Sequence, residues 1–264
     1  MKDKMHLLSN LKTGVKAIFL KLRPLLIKVA PVIFLTRYEL NVLLKPWYHN
    51  YEVFGVKTPQ RGGFYLKNQV NKQGPLFDLI DKAITLCKKN GTSVKGLDLF
   101  CADGFFSNFA ILRGATSIDA IDWERSEIEQ ARLITYLLGN SKSINYIESN
   151  VFSIENAEKV YDFGICAGGL YHIHNPQELL VLLRKKVKIA LVVQTVYSLA
   201  NSAPDYFEVA YPDRPWGSRF SYDYVLNIVE EAGWTAIEVF HNELEGNDRL
   251  EDRGSVYLLC VPTQ

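Results

Sequence analysis

Residues 96–107 read Gly-Leu-Asp-Leu-Phe-Cys-Ala-Asp-Gly-Phe-Phe-Ser, from Gly96 to Ser107, and this stretch decides the fold. Leu97 and Leu99 belong to a short apolar run that reads as a buried strand. Asp103 and Gly104 supply a tight turn, and Phe105 to Ser107 open a helix. Strand-turn-helix junctions of this kind collect nucleotide ligands outside the carboxyl ends of parallel strands. Twenty-four residues after Asp98, a second run, Ser117-Ile118-Asp119-Ala120-Ile121-Asp122, ends in a carboxylate placed to accept both hydroxyls of a ribose.

The glycine count in the turn narrows the ligand. A dinucleotide fingerprint needs three glycines for backbone to press against a pyrophosphate, yet Phe100, Ala102 and Phe105 stand at those positions. No Gly-Lys-Ser or Gly-Lys-Thr phosphate loop follows the strand either. The pattern therefore points to an adenosine ligand without phosphate, and it disfavours a nicotinamide dehydrogenase.

Outward from this junction, strands and helices alternate. A helix is expected from Pro75 to Asn90, closed by Gly91. After the first strand come a helix over Ser107–Arg113, a strand over Thr116–Asp122, a helix over Glu124–Leu138 and a strand over Ile144–Glu148. A strand over Tyr161–Cys166 leads to a helix opened by Asn175 as cap and Pro176 in the first turn, then to a strand over Ile189–Thr195. A helix over Ser221–Ala232 precedes Thr235–Phe240 and Ser255–Val261, which can pair as a closing hairpin. Such alternation specifies an α/β, doubly wound, mainly parallel sheet.

At Leu97–Gly104 the chain resembles the class I S-adenosylmethionine-dependent methyltransferases, whose first motif reads roughly Leu-Asp-Ile-Gly-Cys-Gly-Asp-Gly. It departs from that pattern at Phe100 and Ala102. The resemblance covers most of residues 75–264. It implies a Rossmann-like sheet of seven strands with an antiparallel last one, S-adenosyl-L-methionine as cofactor, and a methyltransferase domain over 75–264 behind a helical and loop extension over 1–74.

The resemblance also implies roles for particular residues. Asp98 organises the loop and engages the methionine end, with Cys101, Asp103 and Gly104 completing the cofactor turn, where Gly104 allows close approach. Asp122 takes the ribose, and Trp123 either stacks by the adenine edge or merely covers the sheet. Asn150 accepts from the adenine amino group, the Val151 amide faces a ring nitrogen, and Ala167 lets the ligand lie against backbone. Arg61 or Lys67 could grip the methionine carboxylate.

Leu170-Tyr171-His172 followed by Pro176 is similar to a subset that includes the transfer-RNA wobble-uridine carboxymethylating enzyme. His172, beside Tyr171, is the candidate general base, since a neutral imidazole can take a proton from a hydroxyl or amine as the methyl arrives. The aromatic loop holding Tyr197, Tyr206, Phe207, Tyr211, Trp216 and Arg219 reads either as a substrate lid or as a satellite core.

Composition sets the outer bounds. At 264 residues with 48% apolar and 22% charged content, the chain can bury a full core without disulfides or metals. Cys87, Cys101, Cys166 and Cys260 show no Cys-x-x-Cys pairing and read as reduced, which suits the cytoplasm. No histidine spacing matches a zinc site, so no metal is expected. Net charge is only +1, but residues 1–46 carry nine basic side chains against Asp3 and Glu39, leaving an acidic body. That imbalance favours a small-molecule acceptor over nucleic acid.

Residues 9–30 place Leu11, Val15, Ile18, Leu22, Leu25, Leu26 and Val29 on a helical arc of roughly 100° flanked by lysines. The arc suits either a cap on the catalytic domain or peripheral contact with a membrane surface. Lysines interrupt every candidate signal core, and no 18-residue uncharged run exists to span a bilayer. The leading expectation is methyl transfer to an oxygen or nitrogen of a small, possibly lipid-like, acceptor. The alternatives are a wobble-uridine modifying enzyme and a non-catalytic cofactor-binding scaffold subunit.

Overall fold

The computed structural model describes residues 37–53, 55–91, 93–209 and 217–263. The basic segment at 9–30 and the aromatic residues Tyr211 and Trp216 lie outside the described residues.

A short helix α1 (Arg37–Leu44) and a two-stranded hairpin, β1 (Glu52–Val53) with β2 (Val56–Lys57), precede the long helix α2 (Tyr65–Asn90). The alternating unit follows: β3 (Lys95–Leu99), α3 (Phe105–Arg113), β4 (Ser117–Asp122), α4 (Arg125–Leu138), β5 (Ile144–Glu148) and β6 (Tyr161–Ala167). It continues through α5 (Pro176–Lys186), β7 (Val187–Tyr197), a ribbon of β8 (Phe207–Glu208) and β9 (Arg219–Phe220), α6 (Tyr222–Glu231), β10 (Trp234–Glu243) and β11 (Gly254–Pro262).

The main sheet has seven strands in the order β10-β11-β7-β6-β3-β4-β5. β3 through β7 run parallel, whereas β11 is antiparallel to both β7 and β10. The expected doubly wound α/β architecture is therefore present, with the closing hairpin formed by β10 and β11. Chain order reverses beside β3: β4 and β5 extend one way, β6 and β7 the other. Crossovers leave this gap in opposite directions, so a crevice opens above it.

Side chains alternate along each strand, so both sheet faces need cover. Leu97, Leu99 and Val193 pack with Leu179 and Leu183 of α5 and Val225 of α6 on one face. On the other, Ile118, Ile165 and Val192 pack with Leu76, Ile80 and Ile84 of α2. Local signals fix the helix ends as the sequence requires. Asn175 accepts the Glu178 amide at 3.2 Å, Ser221 accepts that of Tyr224, and Gly114 and Gly139 close α3 and α4.

One boundary differs from expectation. α2 begins at Tyr65, so Pro75 lies inside it and the expected division at 74/75 falls within one helix. A proline there withdraws the amide that would bond the Asn71 carbonyl. That carbonyl instead accepts from Asn242 Nδ2 at 3.0 Å and Tyr257 Oη at 3.4 Å, both from the antiparallel strands. Sheet donors thus replace the missing helical one. No helix among the described residues is long and apolar enough to cross a membrane.

Asn242→Ala should cost about 1–2 kcal/mol in urea unfolding, because it strips the freed carbonyl of its better donor. The loss should shrink in a Pro75→Ala background, where the helix supplies its own amide. Equal losses in the two backgrounds would show the bond to be incidental.

Candidate active site

The turn after β3 adopts an unusual backbone. Phe100 and Ala102 have φ of 61° and 47°, the left-handed region that costs a side-chain-bearing residue about 1–2 kcal/mol. The glycine-type turn is kept without its glycines. Asp122, at the end of β4, helps hold it: one carboxylate oxygen accepts the Ala102 amide at 2.9 Å and the other the Glu124 amide at 3.0 Å. The Cys101 amide bonds the Ile121 carbonyl at 3.2 Å. On the opposite side the Phe100 ring lies over Gly169 after β6, where any Cβ would overlap it.

Three residues expected at the cofactor have partners in the core beneath the turn. Asp98 is buried and accepts from Ser107 Oγ at 2.5 Å, and desolvation, aided by Asp122, raises its pKa to about 7. Asp103 is fully buried and taken by His49, which donates its backbone amide at 2.7 Å and places Nδ1 at 2.6 Å from the second oxygen. Gly104 has φ of 77°, and a Cβ there would overlap the Tyr146 hydroxyl, so its missing side chain serves the core beneath the turn.

His49 was not legible as a site residue, because Trp47 to Tyr51 reads as a loop. Its ring stacks on Phe105 at 4.6 Å, and Tyr51 donates to the Asp103 carbonyl at 2.8 Å. The segment before α2 is thereby stapled onto the turn from 52 to 54 residues away in sequence.

Above the turn lies a cavity of about 820 Å³ crossing the carboxyl ends of the parallel strands. Cys101, Asp122, Trp123, Asn150, Val151 and Ala167 line it, as do Tyr171 and His172. At the β4–β5 end, Trp123 is 79% exposed, while Asn150 Oδ1 accepts the Phe152 amide at 2.9 Å and so caps the 3₁₀ turn Val151–Asn156. Arg61 lines the wall but is paired with Glu127 at 2.6 Å, and Lys67 instead packs against Gly246.

The opposite end is built from residues the sequence did not single out. Tyr65, Asn68, Lys72 and Leu76 recur at helical spacing and turn one face of α2 to the cavity. Asn247, Arg249 and Asp252 come from the connection between β10 and β11. His172 is open to the cavity space, yet desolvation by its surroundings and the charge of Lys72 hold its pKa below the ordinary value. Its imidazole is neutral near pH 7, with the ring 4.0 Å from that of Tyr171. In the aromatic loop Phe207 stacks on Tyr224 at 4.9 Å and packs against Phe220 on the main core, while at the loop's far end the Ser218 amide donates to the Tyr171 carbonyl at 2.6 Å.

Comparison with known proteins bears on the fold. Over 86% of this chain and 95% of its own, the N-terminal domain of EvdMO1, crystallised with S-adenosylhomocysteine and D-fucose, superimposes with a TM-score of 0.61 at 15% identity. The fold is the one they share. Magnesium protoporphyrin IX methyltransferase from Synechocystis PCC 6803, with S-adenosylhomocysteine bound, gives 0.57 at 13% identity over 77% and 89%. The [4+2]-cyclase SpnF gives 0.56 at 15% identity over 71% and 80%, so the fold alone does not dictate methyl transfer.

Curated relatives named ubiquinone biosynthesis O-methyltransferase match shorter stretches. The protein from Rickettsia bellii is 33% identical over 35% of this chain, and that from Rickettsia akari 30% over 48%. These stretches span 37% and 49% of those relatives, less than half of each. No protein-family model matches the chain.

Asp98 supplies a pH test. Its pKa is raised in the fold, so the neutral carboxyl's contribution to stability is complete below about pH 4 and is lost as pH rises through about 7. Asp98→Asn, neutral throughout, should melt above wild type at pH 8, and the gap should close toward pH 5. A gap constant across that range would mean that Asp98 ionises normally.

Proposed function

We propose that this chain binds S-adenosyl-L-methionine and transfers its methyl group to an oxygen or nitrogen of a small-molecule acceptor. The observation that carries the reading is Asp122: its carboxylate ends β4 on the wall of a cavity at the reversal of strand order, beside a turn whose backbone is already left-handed. The residues present fit the cofactor. Both Asp122 oxygens keep a lone pair for ribose hydroxyls after serving backbone amides, and Trp123 offers an exposed ring beside them. Arg61, which lines the wall on that side, is committed to Glu127 among the described residues, which suits a nucleoside without phosphates.

When bound, the cofactor supplies an activated methyl: its carbon–sulfur bond breaks as the bond to the acceptor forms, leaving a neutral thioether. The chain's part is positioning and proton removal. Neutral His172 takes the proton that an acceptor hydroxyl or amine loses, and Tyr171 packs against its ring. A volume of about 820 Å³ suits a cofactor with a small acceptor. The O-methyltransferase name of the Rickettsia relatives favours oxygen as the methylated atom.

Calorimetry with S-adenosylhomocysteine tests the cofactor assignment. Wild type should bind it, and Asp122→Ala should weaken binding at least about tenfold, as expected when hydrogen bonds to a charged group are lost. Thermal melts of the same samples separate a lost contact from a collapsed turn. Absence of binding to the folded wild-type chain would sink the reading. His172→Gln should bind the same ligand about as well as wild type, yet lose about a hundredfold or more in transfer from tritiated cofactor to a small-molecule extract.

A further inference from the structure

The two ends of the cavity differ in charge once the pairs are counted. Each of its carboxylates already has a partner. Glu127 is held by Arg61, Asp122 by two backbone amides, and Glu124 accepts from the Ser126 amide and hydroxyl at the start of α4. Asp252 accepts from Arg249 at 2.5 and 3.1 Å and from Asn247 at 2.7 Å. Lys72 is different. It is half-buried on the cavity face of α2, and among the described residues it makes no ion pair or hydrogen bond. Burial outweighs the field of Asp252 and brings its pKa to about 8, so it is mainly protonated at neutral pH.

Two acceptors on the same wall are also unmet. Asn68 Oδ1, one helical turn before Lys72, and Gln194 Oε1, on β7, are buried without a hydrogen-bond partner. Gln194 Nε2 donates to Ser255 Oγ at 2.9 Å, which fixes the amide and leaves its oxygen unsatisfied. A half-buried ammonium and two orphan oxygens cost stability unless a ligand answers them. The answering molecule carries an anion and a hydrogen-bond donor. The strand order puts this end beside β7 and the β10–β11 connection, on the far side of the crevice from Asp122. Tyr65 and Tyr171 add flat apolar surface there.

We propose that Lys72 makes this end of the cavity a subsite for a small hydroxylated carboxylic acid, the carboxylate lying on its ammonium and the hydroxyl donating to Asn68 or Gln194. Naming that molecule the methyl acceptor rests on the methyltransferase reading; the anion subsite does not.

A matched pair of probes, 3-hydroxybenzoate and 3-hydroxybenzyl alcohol, tests it by calorimetry at pH 7 with and without saturating S-adenosylhomocysteine. Wild type should prefer the carboxylate at least about tenfold, and Lys72→Met should abolish the preference while leaving affinity for the alcohol and for S-adenosylhomocysteine unchanged. Equal affinity of wild type for the two probes overturns the subsite. So does a Lys72→Met chain that keeps the carboxylate preference but loses S-adenosylhomocysteine, because Lys72 would then serve the cofactor's own carboxylate. Inorganic phosphate displacing 3-hydroxybenzoate at lower concentration than benzoate does overturns the carboxylate assignment. Should S-adenosylhomocysteine fail to bind at all, the methyltransferase reading falls, and the titrations without it still decide the subsite.

Discussion

The site depends on one carboxylate bridging two loops. Asp122 fastens the turn after β3 and the start of α4 with one oxygen each, and this bond helps Phe100 and Ala102 stay left-handed without glycine. Everything on the cavity floor follows from that constraint. Once the turn is fixed, Asp103 points inward to His49, Gly104 settles over Tyr146, and the Phe100 ring reaches Gly169 across the gap in strand order. The two halves of the crevice are thereby joined beneath the ligand space as well as around it.

Much of the scaffold is legible in the sequence because its signals are local. Asn175 with Pro176, Ser221, Gly114 and Gly139 each mark a helix end through bonds spanning a few residues, and the apolar runs of β3, β6 and β7 mark strands buried on both faces. Asp122 is legible for the same reason: it ends a strand at a fixed distance from the first turn. The start of α2 is not, since a proline ordinarily opens a helix and only the sheet, through Asn242 and Tyr257, supplies the donors that let Pro75 lie inside one.

The partners of three candidate site residues are hidden from the sequence for a related reason. Asp98, Asp103 and Gly104 carry the expected residue types at the expected spacing, but what they face depends on partners far along the chain. Ser107 is near, whereas His49 and Tyr146 lie 54 and 42 positions away. Lys72, Asn68 and Gln194 gave no signal, because a lysine and two amides on amphipathic elements look like ordinary polar positions until the fold turns them inward. The aromatic loop illustrates the converse: Phe207 stands out in sequence, yet it stacks on Tyr224 and stays off the wall.

The β10–β11 connection has a distinct standing in the architecture. It joins the last two strands at one edge of the sheet, and Asn247, Arg249 and Asp252 form a compact polar knot within it, bonded chiefly to one another. The wall at the end of β4, by contrast, carries Asp122, whose two oxygens hold the turn after β3 and the start of α4, so a change there disturbs both. Sequence drift in the peripheral hairpin can therefore reshape one half of the chamber while the other half is held constant, which makes that hairpin the natural place for divergence in ligand choice among chains built on this plan.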